Sequence, residues 1–387
     1  MGNGILCVSP EKKYKNIQKQ YSMIDLLIGL RPNNKLYELN ALLQCLCHIE
    51  SLVNFFKYKC DEIKTYNGYK KYKGNGLCLT DCFKSIVDGL WPDFDTDNKN
   101  KSKIKTYRAS LSSKEFLDMI YKIYPDYNEN QEYLLKFMQK RLHEELNKVE
   151  KQNPNFSNTI DLSDINMSLE NYKINFKKND QSIISAIFYG TYYSYSKFFC
   201  GHQEYHFHSY TFGFYSLQQV LQYKILSYQN RQNPLYINRN INMNEINIYD
   251  CLFYDNQIKF GYKLCQKCSI QQQCNNQNFI YSPPKILCFV FNKNENIIIN
   301  NFNFIIENDI NINQFVENKD MIYYELFGII VYFYPKRYVA LSKNPVNLQW
   351  YSYDNDIVEK KYTIQEILKN KYIPYMLFYR HKKNFLK

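Results

Sequence analysis

The stretch GLRPNNKLYELNALLQCL at 29–46 decides how this chain is read. It runs on into CHIESLV, and apolar residues fall at Leu39, Leu42, Leu43, Leu46, Ile49 and Val53. That 3.6-residue spacing predicts a helix with one apolar face. Further on, SKEFLDMIYKIYP near 113–123 predicts a short helix stopped before Pro125. From Gln131, the positions Leu134, Met138, Leu142, Leu146 and Val149 make one face of a longer helix, with charges on the other. After about residue 183 the texture changes. SIISAIFYGTYYSY, KILCFVFNK, YYELFGIIVYFYP and YIPYMLFYR are β-branched and aromatic runs of strand length. Helices first and strands after argue for an α+β fold with an antiparallel sheet.

Composition bounds the rest. The 387 residues are 45% hydrophobic and 17% aromatic, with 38 Tyr, enough for a sizeable core and too aromatic for wholesale disorder. Only 12 residues are Gly, which excludes a collagen-like or Gly-linker chain. Lys and Arg number 49 against 37 Asp and Glu, a net charge of +12. No apolar run approaches the ~18 residues of a membrane span. The start, MGNGILCVSPEKKYK, lacks the long apolar core of a secretory signal. Gly2 and Cys7 resemble a doubly acylated start, but Leu6 stands where Ser or Thr is usual, so no lipid anchor is expected. Most of the 12 cysteines sit singly in apolar runs, as Cys45, Cys47, Cys251 and Cys288 do. That usage predicts reduced thiols and an intracellular, reducing compartment, cytoplasm or nucleus.

Four separated segments, in order, resemble the boxes of the ubiquitin-specific protease family of deubiquitinating enzymes. The first is the 29–46 stretch, similar to G-L-x-N-x-G-N-T-C-Y-M-N-x-x-L-Q-x-L. The second is NENQEYLLKFMQKRLHEELN at 128–147, similar to Q-Q-D-A-H-E-F-L…L-H-E-E-L. The third is CQKC at 265–268 with YSPPKILCFVF at 281–291. The fourth is YELFGIIVYFYPKRYVALSK at 324–343, then QWYSYDNDIV at 349–358 and YMLFYR at 375–380. The resemblance implies a papain-like helical thumb, an antiparallel β palm and zinc-ribbon-like fingers. It places the thumb at about 22–150, the fingers at about 183–282, and the palm at about 283–387 with part of 151–182. Residues 1–21 form a short extension, and 22–387 a single composite domain.

A thiol protease needs a nucleophile, a base, a group that orients the base, and donors for the oxyanion. Aligned on the family boxes, the nucleophile position is Tyr37, whose phenol stays protonated at neutral pH and is too bulky for the task. Cys45 and Cys47, further along the predicted helix, read as core thiols. The base position is Arg337, and guanidinium has no lone pair to accept a proton. The six histidines are His48, His143, His202, His206, His208 and His381, so no shift of alignment within 209–380 supplies one. The family's earlier strand His corresponds to Tyr332. Asp354 survives at the orienting position, either as a turn residue or paired with Arg337. Pro32 stands at the oxyanion Asn and offers no donor. Arg337 beside Tyr37 and paired with Asp354 is expected to close the cleft. The tail-binding acids of the second box correspond to Asn130 and Tyr133, and a family Gly to Lys336 in the shortened loop Phe333–Tyr334–Pro335–Lys336.

The family's zinc ribbon is half present. Cys265 and Cys268 form a C-x-x-C, and Cys200 is a third ligand; the fourth is His202, His206 or His208. One structural zinc is the expected cofactor, and a finger held by packing alone is the alternative. Three functions follow from the resemblance. The first is a pseudo-deubiquitinase, scaffolding a larger complex with protein subunits as partners. Inactive relatives serve in such assemblies, including RNA-processing ones. The second is an active thiol hydrolase with an unrecognised nucleophile. The third is an RNA-associated scaffold using the basic, Tyr-rich segments 14–21, 64–73 and 99–108, which otherwise read as solvated loops. Ubiquitin itself remains a possible partner, through its body rather than its tail.

Overall fold

The computed structural model describes residues 27–32, 37–92, 110–125, 131–150, 162–229, 244–292, 303–333, 337–361, 363 and 374–382. Helices come first: α1 (Tyr37–Leu46), α2 (Glu50–Tyr58), α3 (Cys60–Ile63), α4 (Asn67–Gly74), α5 (Leu79–Leu90), α6 (Lys114–Ile123) and α7 (Gln131–Leu146). After them come α8 (Ile165–Asn179) and α9 (Ile183–Phe188), then α10 (Leu217–Gln229) and α11 (Ile248–Asp255). Short strands β1 (Gly29–Leu30) and β2 (Ser110–Leu111) pair in parallel within the helical part.

Two larger sheets follow. Strands β3 (Gly190–Phe198), β4 (Gln203–Tyr210), β7 (Lys259–Cys265) and β8 (Ile270–Ser282) form an antiparallel sheet ordered β4-β3-β8-β7. Strands β5 (Gly213–Tyr215), β9 (Ile286–Phe291), β12 (Tyr323–Phe333), β13 (Arg337–Lys343), β14 (Trp350–Asp354), β15 (Ile357–Lys361) and β16 (Pro374–His381) build the second. Its order is β15-β14-β13-β12-β16-β9-β5, with β11 (Asp309–Asn311) also on β12. Every pairing there is antiparallel except β5 on β9. A small parallel pair, β6 (Glu245–Asn247) with β10 (Asn303–Ile305), completes the strands.

The core lies on both faces of the second sheet. In β9, Ile286, Cys288 and Val290 join the cluster under the N-terminal helices, while Leu287, Phe289 and Phe291 join the cluster around α10 and α11. A strand covered on both sides needs no polar alternation, which is why KILCFVF reads as one apolar run.

The α+β class stands, with an antiparallel palm. Three local expectations are corrected. The helix from Leu39 to Val53 is two helices, bent by 83° between Leu46 and Glu50. Side chains take the carbonyls that a continuous helix would use: His48 Nδ1 donates to Gln44 O, and Trp91 Nε1 to Cys47 O. By length and composition this bent pair passes as a broken membrane span, but it is core here; among the described residues no single helix is long and apolar enough to cross a membrane. The run SIISAIFYGTYYSY is half helix, because Ser182 and Ser185 form a reciprocal capping box that starts α9 before β3. Finally, α7 ends at Leu146, short of Val149, and its other face is only partly solvated: Lys136 and Lys140 are exposed, but Gln139, His143 and Glu145 are buried.

Candidate functional site

The first box is held in place by polar contacts that its pattern does not advertise. Asn40 donates from Nδ2 to Arg31 O (3.0 Å) and to Asn355 Oδ1 (2.9 Å), while Ser113 Oγ donates to Asn40 Oδ1. Leu30 N donates to Asn355 O, and Gln44 Nε2 to Ile28 O. Asn355 sits in the left-handed region at the tight β14–β15 turn, which Asn tolerates. Gly29 is required here, since a Cβ would lie 2.5 Å from Asn355 O and 2.6 Å from Asp356 Cα. These contacts dock the loop carrying Pro32, and the start of α1, onto the end of β14.

Tyr37 is the first residue of α1, and α1 packs against β12, β13 and β14. Arg337 is the first residue of β13 and Asp354 the last of β14. The helix that begins at Tyr37 thus abuts the palm strands that carry Arg337 and Asp354 at their ends. Arg337 donates to Asp354 Oδ2 from Nε (2.9 Å) and from Nη2, and its guanidinium lies 5.4 Å from the Phe333 ring centroid. The expected ion pair forms, but the expected closure does not follow from it. The Arg337 side chain is 60% exposed and Asp354 20%. An exposed pair contributes about 0–1 kcal/mol. Arg337→Ala is thus expected to shift the melting temperature by about 2 °C or less, checked by differential scanning calorimetry.

Nearby groups are packed rather than poised. The Tyr332 and Tyr338 rings lie 5.0 Å apart, Tyr338 and Tyr375 5.6 Å, and Tyr375 Oη donates to Glu38 Oε1 at 2.9 Å. Cys45 is fully buried, with Ser342 Oγ 3.5 Å from its sulfur, and burial pushes its thiol up to about 12. Burial raises the Cys47 thiol as well. His48 is enclosed between Gln44 O and Tyr353 Oη, and burial lowers its pKa to about 4. His143 is spent on Ser182 Oγ and Asp180 Oδ1. Asn130, Lys336 and the side chain of Tyr133 lie outside the described residues.

At the far end of the first sheet, the turns after β3 and β7 bring three thiols together. Cys200, Cys265 and Cys268 have their Sγ atoms within 4.8 Å of one another, and Cys200 Sγ lies 3.7 Å from Cys265 Sγ. Tetrahedral zinc with Zn–S bonds of ~2.3 Å needs an S–S edge of ~3.8 Å, so the thiols fit a metal. The exposed Cys200 thiol is held below its ordinary value, first by the backbone N–H of His202 and then by its sulfur neighbours. A second C-x-x-C would place a Cys at 203, where Gln203 stands. Of the three candidate histidines, His202 is the one that comes within 4.8 Å of Cys265, together with Glu204. His206 lies against the other Glu204 oxygen at 3.3 Å, and His208 against the Tyr192 ring.

The basic segment 64–73 is not a loop. It runs into α4, and its rings turn to internal partners: Tyr69 Oη donates to Asp81 and Tyr72 Oη to Glu144, with the Arg141 guanidinium 3.7 Å from the Tyr72 ring centroid. Lys73 pairs with Asp81. Stacking platforms for RNA are not presented there. Segments 14–21 and 99–108 lie outside the described residues, as do Gly2 and Cys7.

A helical unit docked on an antiparallel palm, with a four-stranded sheet ending in a thiol cluster, defines the class of thumb–palm–fingers proteases. The family model described as "Ubiquitin carboxyl-terminal hydrolase" matches residues 34–379, and the chain belongs to that family. Among solved structures, the fold is similar to the SAGA DUB module of Ubp8, Sgf11, Sus1 and Sgf73. The TM-score is 0.57 at 16% identity, covering 96% of this chain and 73% of that one. A structure of the SAGA DUB module bound to monoubiquitin matches with TM-score 0.56 at 16% identity, covering 96% and 74%. No curated protein matches the chain in sequence.

Proposed function

We propose that this chain is a pseudo-deubiquitinase that acts as a binding or scaffolding subunit of a larger assembly. One observation carries the reading: the family boxes align Tyr37, at the start of α1, with the nucleophile and Arg337, at the start of β13, with the base. Neither residue performs the step required of it. Pro32 removes the side-chain donor of the oxyanion site. Beside the cleft, Cys45 and Cys47 are sealed in the core, and His48 is a buried neutral acceptor. The division into thumb, fingers and palm at the boundaries given above belongs to the same proposal, as does an intracellular, reducing location. The similar solved structures support the assembly reading, since they are a module with partner subunits and a complex with monoubiquitin. The test is a ubiquitin probe bearing a C-terminal electrophile. The expected result is no labelling and intact diubiquitin after prolonged incubation; adduct formation at any cysteine overturns the reading in favour of an active thiol hydrolase.

The thiol cluster supports a second part of the proposal, one structural zinc held by Cys200, Cys265, Cys268 and His202. Elemental analysis of protein expressed with ample zinc is expected to give one zinc per chain. Cys265→Ala is expected to bring that value near zero. A wild-type value near zero leaves the finger held by packing alone, and a value near two means a further site.

A further inference from the structure

Strand β7 ends the four-stranded sheet, and among the described residues no strand pairs with its outer edge. Its sequence, KFGYKLC, alternates strictly. Phe260, Tyr262 and Leu264 share one face and are 73%, 71% and 64% exposed; Ile258, just before the strand, is 55% exposed. Their cross-strand neighbours on β8 are Asn275, Gln273 and Gln271, which are polar and cover none of them. The row therefore presents on the order of 400 Å² of apolar surface, within the range at which patches on monomers are often functional. A free edge supplies backbone donors and acceptors, and side chains at alternate positions supply specificity.

The charge around this edge selects the occupant. Over 256–292 the sequence holds four lysines, Lys259, Lys263, Lys267 and Lys285, and no Asp or Glu. Lys259 and Lys263 lie on the strand face opposite the aromatic row, separated by Gly261; Lys259 is exposed near the Tyr254 ring, Lys263 is half-buried and spends one N–H on Ser196 Oγ, and Lys267 is exposed in the turn. The sheet's own carboxylate, Glu204, is buried and accepts from Gln266 N. Lysines on an edge strand disfavour pairing with a like strand. They discriminate against a second copy of this chain and in favour of acid.

We propose that β7 is a docking edge for an extended acidic segment of a partner protein. The segment adds as a fifth strand, with apolar residues beside Phe260, Tyr262 and Leu264 and carboxylates beside Lys259 and Lys263. The proposal rests on the reading of the chain as a binding subunit, and it is independent of whether the cleft is silent.

The probe is an eight-residue peptide alternating Val and Glu, labelled with fluorescein and titrated into the full chain by fluorescence anisotropy. A Val–Lys peptide is the control. Saturable binding of the Val–Glu peptide is expected, weakening at least tenfold between low and moderate salt. Tyr262→Lys is expected to weaken it at least tenfold with an unchanged melting temperature. Lys259→Glu with Lys263→Glu is expected to invert the preference toward the Val–Lys peptide. Amide exchange at 260–264 should slow when peptide binds. Equal binding of both peptides, no binding, unchanged exchange in β7, or a concentration-dependent dimer through this edge in sedimentation each overturns the proposal. Labelling by the ubiquitin probe alongside normal peptide binding brings down the silent-cleft reading and leaves the docking edge standing.

Discussion

Placing a thiol and an imidazole at the proposed nucleophile and base positions, Tyr37→Cys with Arg337→His, is expected to leave the protein without useful turnover of ubiquitin substrates. The geometry gives the variant its best chance, because Asp354 already reaches position 337 and is available to orient an imidazole. Two defects remain. Pro32 supplies no oxyanion donor, and loss of one such donor costs about 10²–10³ in rate. Asn40 cannot stand in for it: its amide is committed to Arg31 O and Asn355 Oδ1, and releasing it would undock the loop it holds. Position 337 is also exposed, so a new imidazole works in a wet site where its charge is screened. The combined deficit is expected to be at least about 10³-fold against active relatives, measured with a fluorogenic ubiquitin substrate. Turnover at rates typical of active relatives would show that the cleft is far less eroded than its residues imply.

The largest effect on stability is expected at Glu145, far from the cleft. Its side chain is 0% exposed. Oε1 accepts from Leu79 N (2.9 Å) and Arg141 Nε (2.7 Å), and Oε2 accepts from Thr80 N (2.7 Å). Cys78 Sγ lies 3.5 Å from Oε2. One carboxylate thus caps the start of α5, where backbone N–H groups lack intrahelical partners, and neutralises a nearly buried guanidinium. Glu145→Ala removes these acceptors at once, leaving Arg141 only Leu77 O and the Tyr72 ring. Removing one partner of a buried ion pair costs about 3–5 kcal/mol, and the lost cap adds about 1 kcal/mol. The measurement is the urea midpoint of the full chain. Glu145→Gln keeps one acceptor and the side-chain volume, so it is expected to fall between wild type and Glu145→Ala. A loss below about 1 kcal/mol for Glu145→Ala would mean that the helices are held by apolar packing alone.

Much of the site was legible because chemistry is stated residue by residue. A phenol, a guanidinium and a proline cannot act as thiolate, base and amide donor wherever the chain places them. The textures of α6, β9, β12 and β16 were also legible, because local periodicity reports burial when an element is covered in a regular way. The break after Leu46 was not, since an apolar period carries straight through a bend at which the His48 and Trp91 side chains take the freed carbonyls. The run at 182–195 misled for the opposite reason: β-branched residues suggest a strand, but a Ser–Ser capping box starts a helix there.

What the sequence by itself determined is therefore the family's order of boxes and the α+β class, and it is also the source of the proposal for Tyr37, Arg337 and Pro32. Each of these depends on residue identity and local spacing. Only the tertiary structure decided which polar groups are buried, which thiols meet and which strand is left at an edge. Asn40 and Asn355 are 315 positions apart, and Cys200 and Cys265 are 65 apart. The charges of α7 are patterned as a solvated face, yet the turn before α5 folds over Glu145 and removes it from water. The apolar row of β7 has the alternation of a half-buried strand, and it is exposed because no described element packs over that face. Long-range packing sets the solvent exposure of a side chain, and local pattern carries no record of what the rest of the chain brings against it.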